Sequence, residues 1–373
     1  MLLGAAAYVA ASRLGYLDRL LARVMGAPLA SQRLSAGDFP AGVAAPVGEI
    51  ASVPLRPVRI GFSPRGSSAA LLLATGGAGA EPRGGLFKTA YALDAQAVVF
   101  AKEEELRGAL MAGAENGGVD MAAVSVDRLA FWSGGLRDAS PRTVLLLGRS
   151  RGQEALAAVD VEQLSELRGK RVGAYPHSPS NYFALWVLSR VGLGPSDVRW
   201  VDLGSALEAG AALREGRADA VVGLFGDVEL AARDRGGKLL ATTADAPHLI
   251  STVLVARGEF LARYPDAVRR VLRGLLDAAG SVSRDPMPAA RLLGEVAPYL
   301  GDPVEAIKAA PPATLRDNMA FFGLSGEAPV TYDELFLSAS ALAVKLRRAS
   351  SVPIPEDTRH LGALKYVAEA SGP

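Results

Sequence analysis

Two stretches decide the fold: Gly118-Val-Asp-Met-Ala-Ala-Val-Ser-Val-Asp127 and Gly216-Arg-Ala-Asp-Ala-Val-Val-Gly-Leu-Phe-Gly-Asp227. Each starts at a glycine, meets an aspartate within a few residues, runs through a short apolar segment and ends in a loop carrying a second aspartate. A helical stretch precedes each, Glu103 to Gly113 in the first and Ser205 to Arg214 in the second, where Ser205 and Glu208 have the spacing of a capping box. A new helix follows each loop. One plan, helix, turn, strand and Asp loop, is therefore written twice.

Working outward, β-branched runs alternate with Ala- and Leu-rich helical stretches, the pattern of parallel sheets covered by helices. Strands are predicted at Val58 to Phe62, Ala97 to Ala101, Val119 to Val124 and Thr143 to Leu147, then at Arg171 to Tyr175, Val198 to Asp202, Ala218 to Leu224 and Lys238 to Ala241. The isolated apolar runs Thr143 to Leu147 and Ser251 to Ala256 fall where one series gives way to the other and read as two hinge crossings. From Glu259 onward the chain reads as helical, with Phe260, Tyr264, Val268, Val271 and Leu275 near one face of a helix that Pro265 interrupts. The expected class is α/β with two lobes, each a mainly parallel sheet flanked by helices, and a helical C-terminal extension. The expected divisions are an anchor or tether at 1–56, the first part of lobe 1 at 57–148, lobe 2 at 149–246, and a return to lobe 1 with the C-terminal helices at 247–373.

Bulk properties exclude several functions. The 373 residues are 50% hydrophobic and 21% charged, with 40 Lys and Arg against 39 Asp and Glu, so the basic excess that phosphate-backbone binding demands is missing and no nucleic-acid partner is expected. Without cysteine there is no disulfide, thiolate nucleophile or cysteine metal site. His177, His248 and His360 are too scattered for a local metal motif, so neither metal nor cofactor is expected. The apolar Met1 to Ala11 is shorter than the roughly 20 residues that span a bilayer and has no basic residue before it. Together with the amphipathic Ser12 to Met25 it reads either as a membrane tether or as a surface helix.

In open α/β sheets ligands collect at the carboxyl ends of strands, where loops turn into helices. Three loop groups qualify. Tyr175-Pro-His-Ser-Pro-Ser-Asn-Tyr182 offers Ser178 and Pro179 as an N-cap and first-turn pair, which leaves the amides of Ser180 and Asn181 to meet an oxyanion or carbonyl, with His177 beside them. A capped helix without a ligand fits the same residues. Phe62-Ser-Pro-Arg-Gly-Ser-Ser68 supplies the hydroxyls of Ser63, Ser67 and Ser68, and Arg65 as a planar fork for an oxyanion or as a solvated loop residue. Ser125, Asp127, Phe225 and Asp227 close the two repeats as ligand acceptors or helix caps, and Thr252 could place a hydroxyl at the cleft floor. No nucleophile and base are held together by a local motif, so no catalytic residue is assigned.

The order Val58-Arg-Ile-Gly-Phe62, Gly118-Val-Asp-Met-Ala122, Leu167-Arg-Gly-Lys-Arg-Val-Gly-Ala174, Leu213-Arg-Glu-Gly-Arg-Ala-Asp-Ala220 and Phe260-Leu-Ala-Arg-Tyr-Pro265 resembles the substrate-binding proteins of nitrate, sulfonate, taurine and thiamine-precursor ABC transporters. The resemblance implies a type II periplasmic-binding fold, hinge closure on a small polar or anionic organic ligand, and delivery to a permease and its ATPase. It also implies a periplasmic location, with a tether if the N-terminus anchors it; separately, a monomer is expected. Leu224-Phe-Gly-Asp227 departs from the Trp-x-Pro-like sequence common at that point in the family. The alternatives are an enzyme on the same fold, of thiamine-pyrimidine or menaquinone-pathway type, and a tethered sensing module.

Overall fold

The computed structural model describes residues 53–79, 84–136, 138–176, 178–346 and 353–370. Nearly all of the predicted N-terminal segment, and His177, lie outside them.

The first lobe begins β1 (Val58–Phe62), α1 (Ala69–Thr75), α2 (Leu86–Tyr91), β2 (Ala95–Val99), α3 (Glu103–Ala112), β3 (Met121–Ser125), α4 (Val126–Trp132) and β4 (Arg142–Arg149). The second comprises β5 (Glu154–Ala158), β6 (Arg171–Ala174), α5 (Pro179–Arg190), β7 (Arg199–Asp202), α6 (Ala209–Arg214), β8 (Ala220–Leu224), α7 (Phe225–Asp234) and β9 (Lys238–Thr242). The chain returns through β10 (Ser251–Ala256), α8 (Gly258–Arg263), α9 (Pro265–Arg284), α10 (Met287–Val296), α11 (Pro303–Ala309), α12 (Leu315–Phe321), α13 (Tyr332–Lys345) and α14 (Gly362–Ala370). Two five-stranded sheets result, ordered β2-β1-β3-β10-β4 and β7-β6-β8-β5-β9.

In each sheet the β1/β2/β3 or β6/β7/β8 pairs are parallel, and a strand from the other side of the crossing, β10 or β5, joins antiparallel. The two predicted crossings are thereby corrected: β4 and β10 are sheet strands paired with each other, and the crossings are the segments at 150–153 and 243–250 that flank them. Strand β5 has no counterpart in the sequence reading. Its residues, Glu-Ala-Leu-Ala-Ala, have helical composition, but all are buried between β8 and β9, and this packing overrides propensity.

The repeat read from the sequence has a structural basis. Asp120 accepts the backbone N–H of Arg59 at 3.0 Å and donates its own N–H to the Arg59 carbonyl at 2.9 Å. Asp219 does the same with Arg171, at 2.8 and 2.9 Å. In both lobes the aspartate thus locks the start of the third strand to its parallel neighbour. The strand alternation of period two then separates two apolar faces in the second sheet. Leu156, Ala158, Ala220 and Val222 join Phe183 and Val187 of α5 in the main core, while Ala155, Ala157 and Val221 join Leu213 and Val228 under α6 and α7.

Helix α9 starts with Pro265 at its first position and buries Val268, Val271, Leu272, Leu275, Ala279 and Val282 at helical spacing. The C-terminal residues cover the free edge of β4. Ala313 donates to the Leu147 carbonyl at 2.7 Å, and His360 to the Thr143 carbonyl at 2.8 Å. The side chain of Asn318, fully buried, accepts from Leu146 N–H at 2.7 Å and donates to its carbonyl at 3.0 Å, imitating a neighbouring strand. Among the described residues, no helix is long and apolar enough to cross a membrane.

Candidate functional site

The two lobes meet at a seam built on the crossings. Thr243 on the second crossing accepts from the amides of Gly152 and Glu154 at 3.0 and 3.2 Å, and its hydroxyl lies 2.6 Å from that of Ser150. Ser150 donates to Glu154, and its N–H bonds the Ile250 carbonyl at 2.9 Å, so the two crossings are tied to each other.

Into this knot lobe 1 sends Arg65. Its guanidinium pairs with Glu154, a carboxylate with no exposed surface, 89 residues away in sequence. Burial works against the charge of Arg65, but Glu154, with Glu103 and Asp127 behind it, raises its pKa above the usual arginine value. The reading of Arg65 as a solvated loop residue is therefore corrected: its side chain is only 14% exposed, and its first partner is internal. The loop that carries it is held tightly. Ser68 accepts the Arg65 N–H at 3.1 Å, Ser63 donates to the Phe100 carbonyl at 3.1 Å, and Ser67 is buried. Gly66 passes so close beneath α11 that a Cβ would overlap the Ala306 carbonyl, so only glycine fits there.

Asp127, in the first turn of α4, is buried, and burial pushes its pKa up to about 6; Ser125 and Arg128 oppose the rise, Glu103 adds to it, and Arg65 opposes it. The Ser125 hydroxyl is near enough to favour the ionised form, yet neither it nor Asp127 Oδ1 has a hydrogen bond of sound geometry. Thr252 lies directly opposite Ser125 across the β3–β10 pairing. Arg128 is 1% exposed, lies over the Trp132 ring at 4.9 Å, and reaches Glu104 at 3.3 Å and Glu103 at 3.6 Å.

From lobe 2 comes the start of α5. Ser178 caps it as predicted, accepting the Asn181 N–H at 3.1 Å and donating to the Tyr175 carbonyl at 2.7 Å. The Asn181 amide is therefore committed to the cap, contrary to the expectation that it would be free for a ligand. Ser180 is buried with an unpartnered hydroxyl. Tyr182, also buried, feels the Asp127 charge across the seam; burial first and then Asp127 raise its pKa. Gln153, on the first crossing, is buried with both its amide atoms unpartnered.

The partner loop of the repeat behaves differently. Asp227 accepts from Gly210 N–H at 2.8 Å and pairs with Arg214 at 3.5 Å, both in its own lobe, and Phe225 packs on the lobe 2 core. The structure thus gathers Arg65, Ser125, Asp127 and Tyr182 and holds Asp227 apart. Ser205 makes no side-chain cap, and Glu208 instead accepts from Gly204 N–H at 3.1 Å. Sequence reasoning missed Gln153, Glu154, Arg128 and Glu103. Only Glu154 left a trace, as a lone acid heading an apolar run.

An acceptor of raised pKa, an internally neutralised arginine and hydroxyl and amide groups on both lobes form a site suited to hydrogen-bonding a small polar molecule. Residues 152–289 match the family model described as NMT1/THI5 like. The periplasmic aliphatic sulphonate binding protein SsuA from Escherichia coli is similar in structure, with a TM-score of 0.64 at 17% identity over 81% of this chain and 91% of that one. The periplasmic nitrate-binding protein NrtA from Synechocystis PCC 6803 gives 0.65 at 13% identity over 84% and 89%. The desulfurization enzyme DSZB gives 0.58 at 12% over 84% and 99%. No curated protein sequence matches the chain. The resemblance read from five short motifs is borne out: the chain has the two-lobed type II periplasmic-binding fold of the ABC substrate-binding proteins, with an NMT1/THI5-like segment running from the first crossing into α10.

Proposed function

We propose that the protein is the solute-binding component of an ABC-type importer, taking a small polar or anionic organic molecule between its lobes and passing it to a membrane permease on the periplasmic side. The observation that carries this reading is the set of buried, unpartnered polar groups at the seam: Ser125 and Asp127 from lobe 1, Ser180 from lobe 2 and Gln153 from the crossing. A buried polar group without a partner costs about 1–3 kcal/mol, a cost that a ligand offering matched donors and acceptors removes. Closure around such a ligand needs only motion about the crossings at 150–153 and 243–250. Capture of the closed form by a permease is part of the same proposal and is supported by the likeness to importer binding proteins rather than by any one residue. The division into lobes at 57–148, 149–246 and 247–373 belongs to the same reading, as does a monomeric working form.

A thermal-shift series with small aminosulfonates, amino acids and amides, which carry N–H donors for Asp127 beside their own acceptors, tests it. A ligand at 100 times its Kd adds about 2.7 kcal/mol of stability, and Asp127→Asn and Ser180→Ala should each weaken that gain. A gain untouched by both substitutions would move the site elsewhere. Asp127, with its pKa near 6, is also the group that favours the second reading, an enzyme on this fold, since a general base works best near the ambient pH. Chemical conversion of the bound ligand by the isolated protein would select that reading over transport.

A further inference from the structure

On the outer side of lobe 1, away from the seam, α2, α9 and α14 enclose an open groove of about 580 Å³, lined by Tyr91, Asp266, Arg269, Arg270, Arg273 and Tyr366. Three arginines within one turn of α9 face it, and they are not equivalent. Arg270 is used by the fold. It pairs with Asp266 at 2.9 Å and donates to the carbonyls of Tyr91 and Ala92 at 3.1 and 3.2 Å, which closes the end of α2 where Ala92 is held at a φ of 46°.

Arg269 and Arg273 have no such employment. They stand one helical turn apart on the same face, where like charges repel, and among the described residues neither forms an ion pair with a carboxylate. The Arg269 guanidinium lies over the Tyr366 ring, 4.5 Å from its centre, a cation–π contact that holds the cation at the groove without neutralising its charge. Arg273 lies near the Tyr91 hydroxyl, which donates to Asp277 and whose pKa burial and Asp277 raise to about 12 against the opposing effect of Arg273. Tyr91 therefore stays a neutral hydroxyl beside the cation. Tyr366 is 51% exposed, an aromatic face open to the groove.

Two unneutralised planar forks at one-turn spacing match an oxyanion of two charges, and the ring beside them offers an apolar platform for what that anion is attached to. We propose that this groove binds a phosphate monoester, the dianion between Arg269 and Arg273 and the organic group against Tyr366. A soluble ester and a lipid phosphate headgroup share this chemistry.

The full chain would be titrated calorimetrically with phenyl phosphate and, separately, floated with phosphatidylcholine vesicles containing phosphatidic acid, whose headgroup is itself a monoester. Saturable binding in the first experiment alone assigns a soluble ligand, and binding to the acidic vesicles alone assigns a lipid. In either case Arg269→Ala with Arg273→Ala should weaken binding at least tenfold. Replacing both by lysine, which keeps the charge and loses the fork, should weaken it a few-fold while leaving the helix intact. No saturable binding in either experiment overturns the proposal, as does equal binding by the wild type and both double variants. Binding that survives the groove substitutions but is lost with Arg65→Ala would place the phosphate between the lobes and overturn it equally.

Discussion

Asp127 and Asp227 close equivalent loops, each in the first turn of the helix that follows the third parallel strand of its sheet. The aspartates that open those strands, Asp120 and Asp219, make the same pair of backbone bonds in both lobes. The second pair diverges. Asp227 is satisfied by Gly210 and Arg214 within lobe 2, whereas Asp127 is buried at the junction with an unpartnered oxygen and a pKa near 6. A repeated supersecondary unit thus keeps its framework contacts in both copies, and only the copy facing the crossings leaves polar capacity unspent. A framework contact and an uncommitted polar group are separable within a ten-residue motif.

The largest expected effect comes from opening the seam against which Asp127 is packed. Glu154→Ala leaves the half-buried Arg65 without its carboxylate and removes an acceptor from the buried Ser150; chemical denaturation should show a loss of roughly 3 kcal/mol. A loss below about 1 kcal/mol would mean that the seam is wetter than its burial implies and would erase the contrast with lobe 2.

Asp127→Asn should act in the opposite direction. The carboxyl of Asp127 has its pKa raised from 3.8 to about 6 in the folded chain, so the folded state holds the proton more tightly than the unfolded one. The group costs nothing below pH 4, its cost grows as the pH rises through 4 to 6, and above 6 the full penalty, roughly 3 kcal/mol, remains. The asparagine variant should therefore match the wild type near pH 4, exceed it in stability at pH 7, and lose ligand affinity. Equal stability of the two proteins at pH 7 would place Asp127 in the same satisfied class as Asp227.

The smallest effect belongs to Asp227→Ala. Loss of the Gly210 N–H acceptor should cost about 1–2 kcal/mol, with ligand affinity unchanged. A drop in affinity comparable to that of Asp127→Asn would restore the symmetry that the two sequences suggest. Gly210→Ala offers a second route to the same contact, because a Cβ at that position would overlap the Asp227 carboxylate.

Much of this architecture was legible in the sequence because it rests on local signals. Val58–Phe62 is a strand from its composition, and Ser178-Pro179 opens a helix from its chemistry, and both occur where expected. What escaped depended on distant partners. Arg65 could be read as ligand-binding or solvated, but its actual partner lies in a strand whose Glu-Ala-Leu-Ala-Ala composition points to a helix. Asp127 and Asp227 looked alike because their difference is made by Arg214 and Gly210 on one side and by burial against another lobe on the other. Asn318, whose amide completes the edge of β4, sits 172 residues from the strand it serves, in a helix whose sequence shows no link to it.

That edge has a consequence for how the chain comes into being. The strands of the second sheet, β5 to β9, lie within residues 154–242, one continuous stretch that can assemble as soon as it is synthesised. The first sheet must wait for β10, and its outer strand stays bare until Ala313, Asn318 and His360 arrive to pair with it. An uncovered strand edge is a template for pairing with another chain. During that interval a nascent molecule holds one finished lobe and one adhesive one, and a premature stop before residue 313 would make that adhesive state permanent.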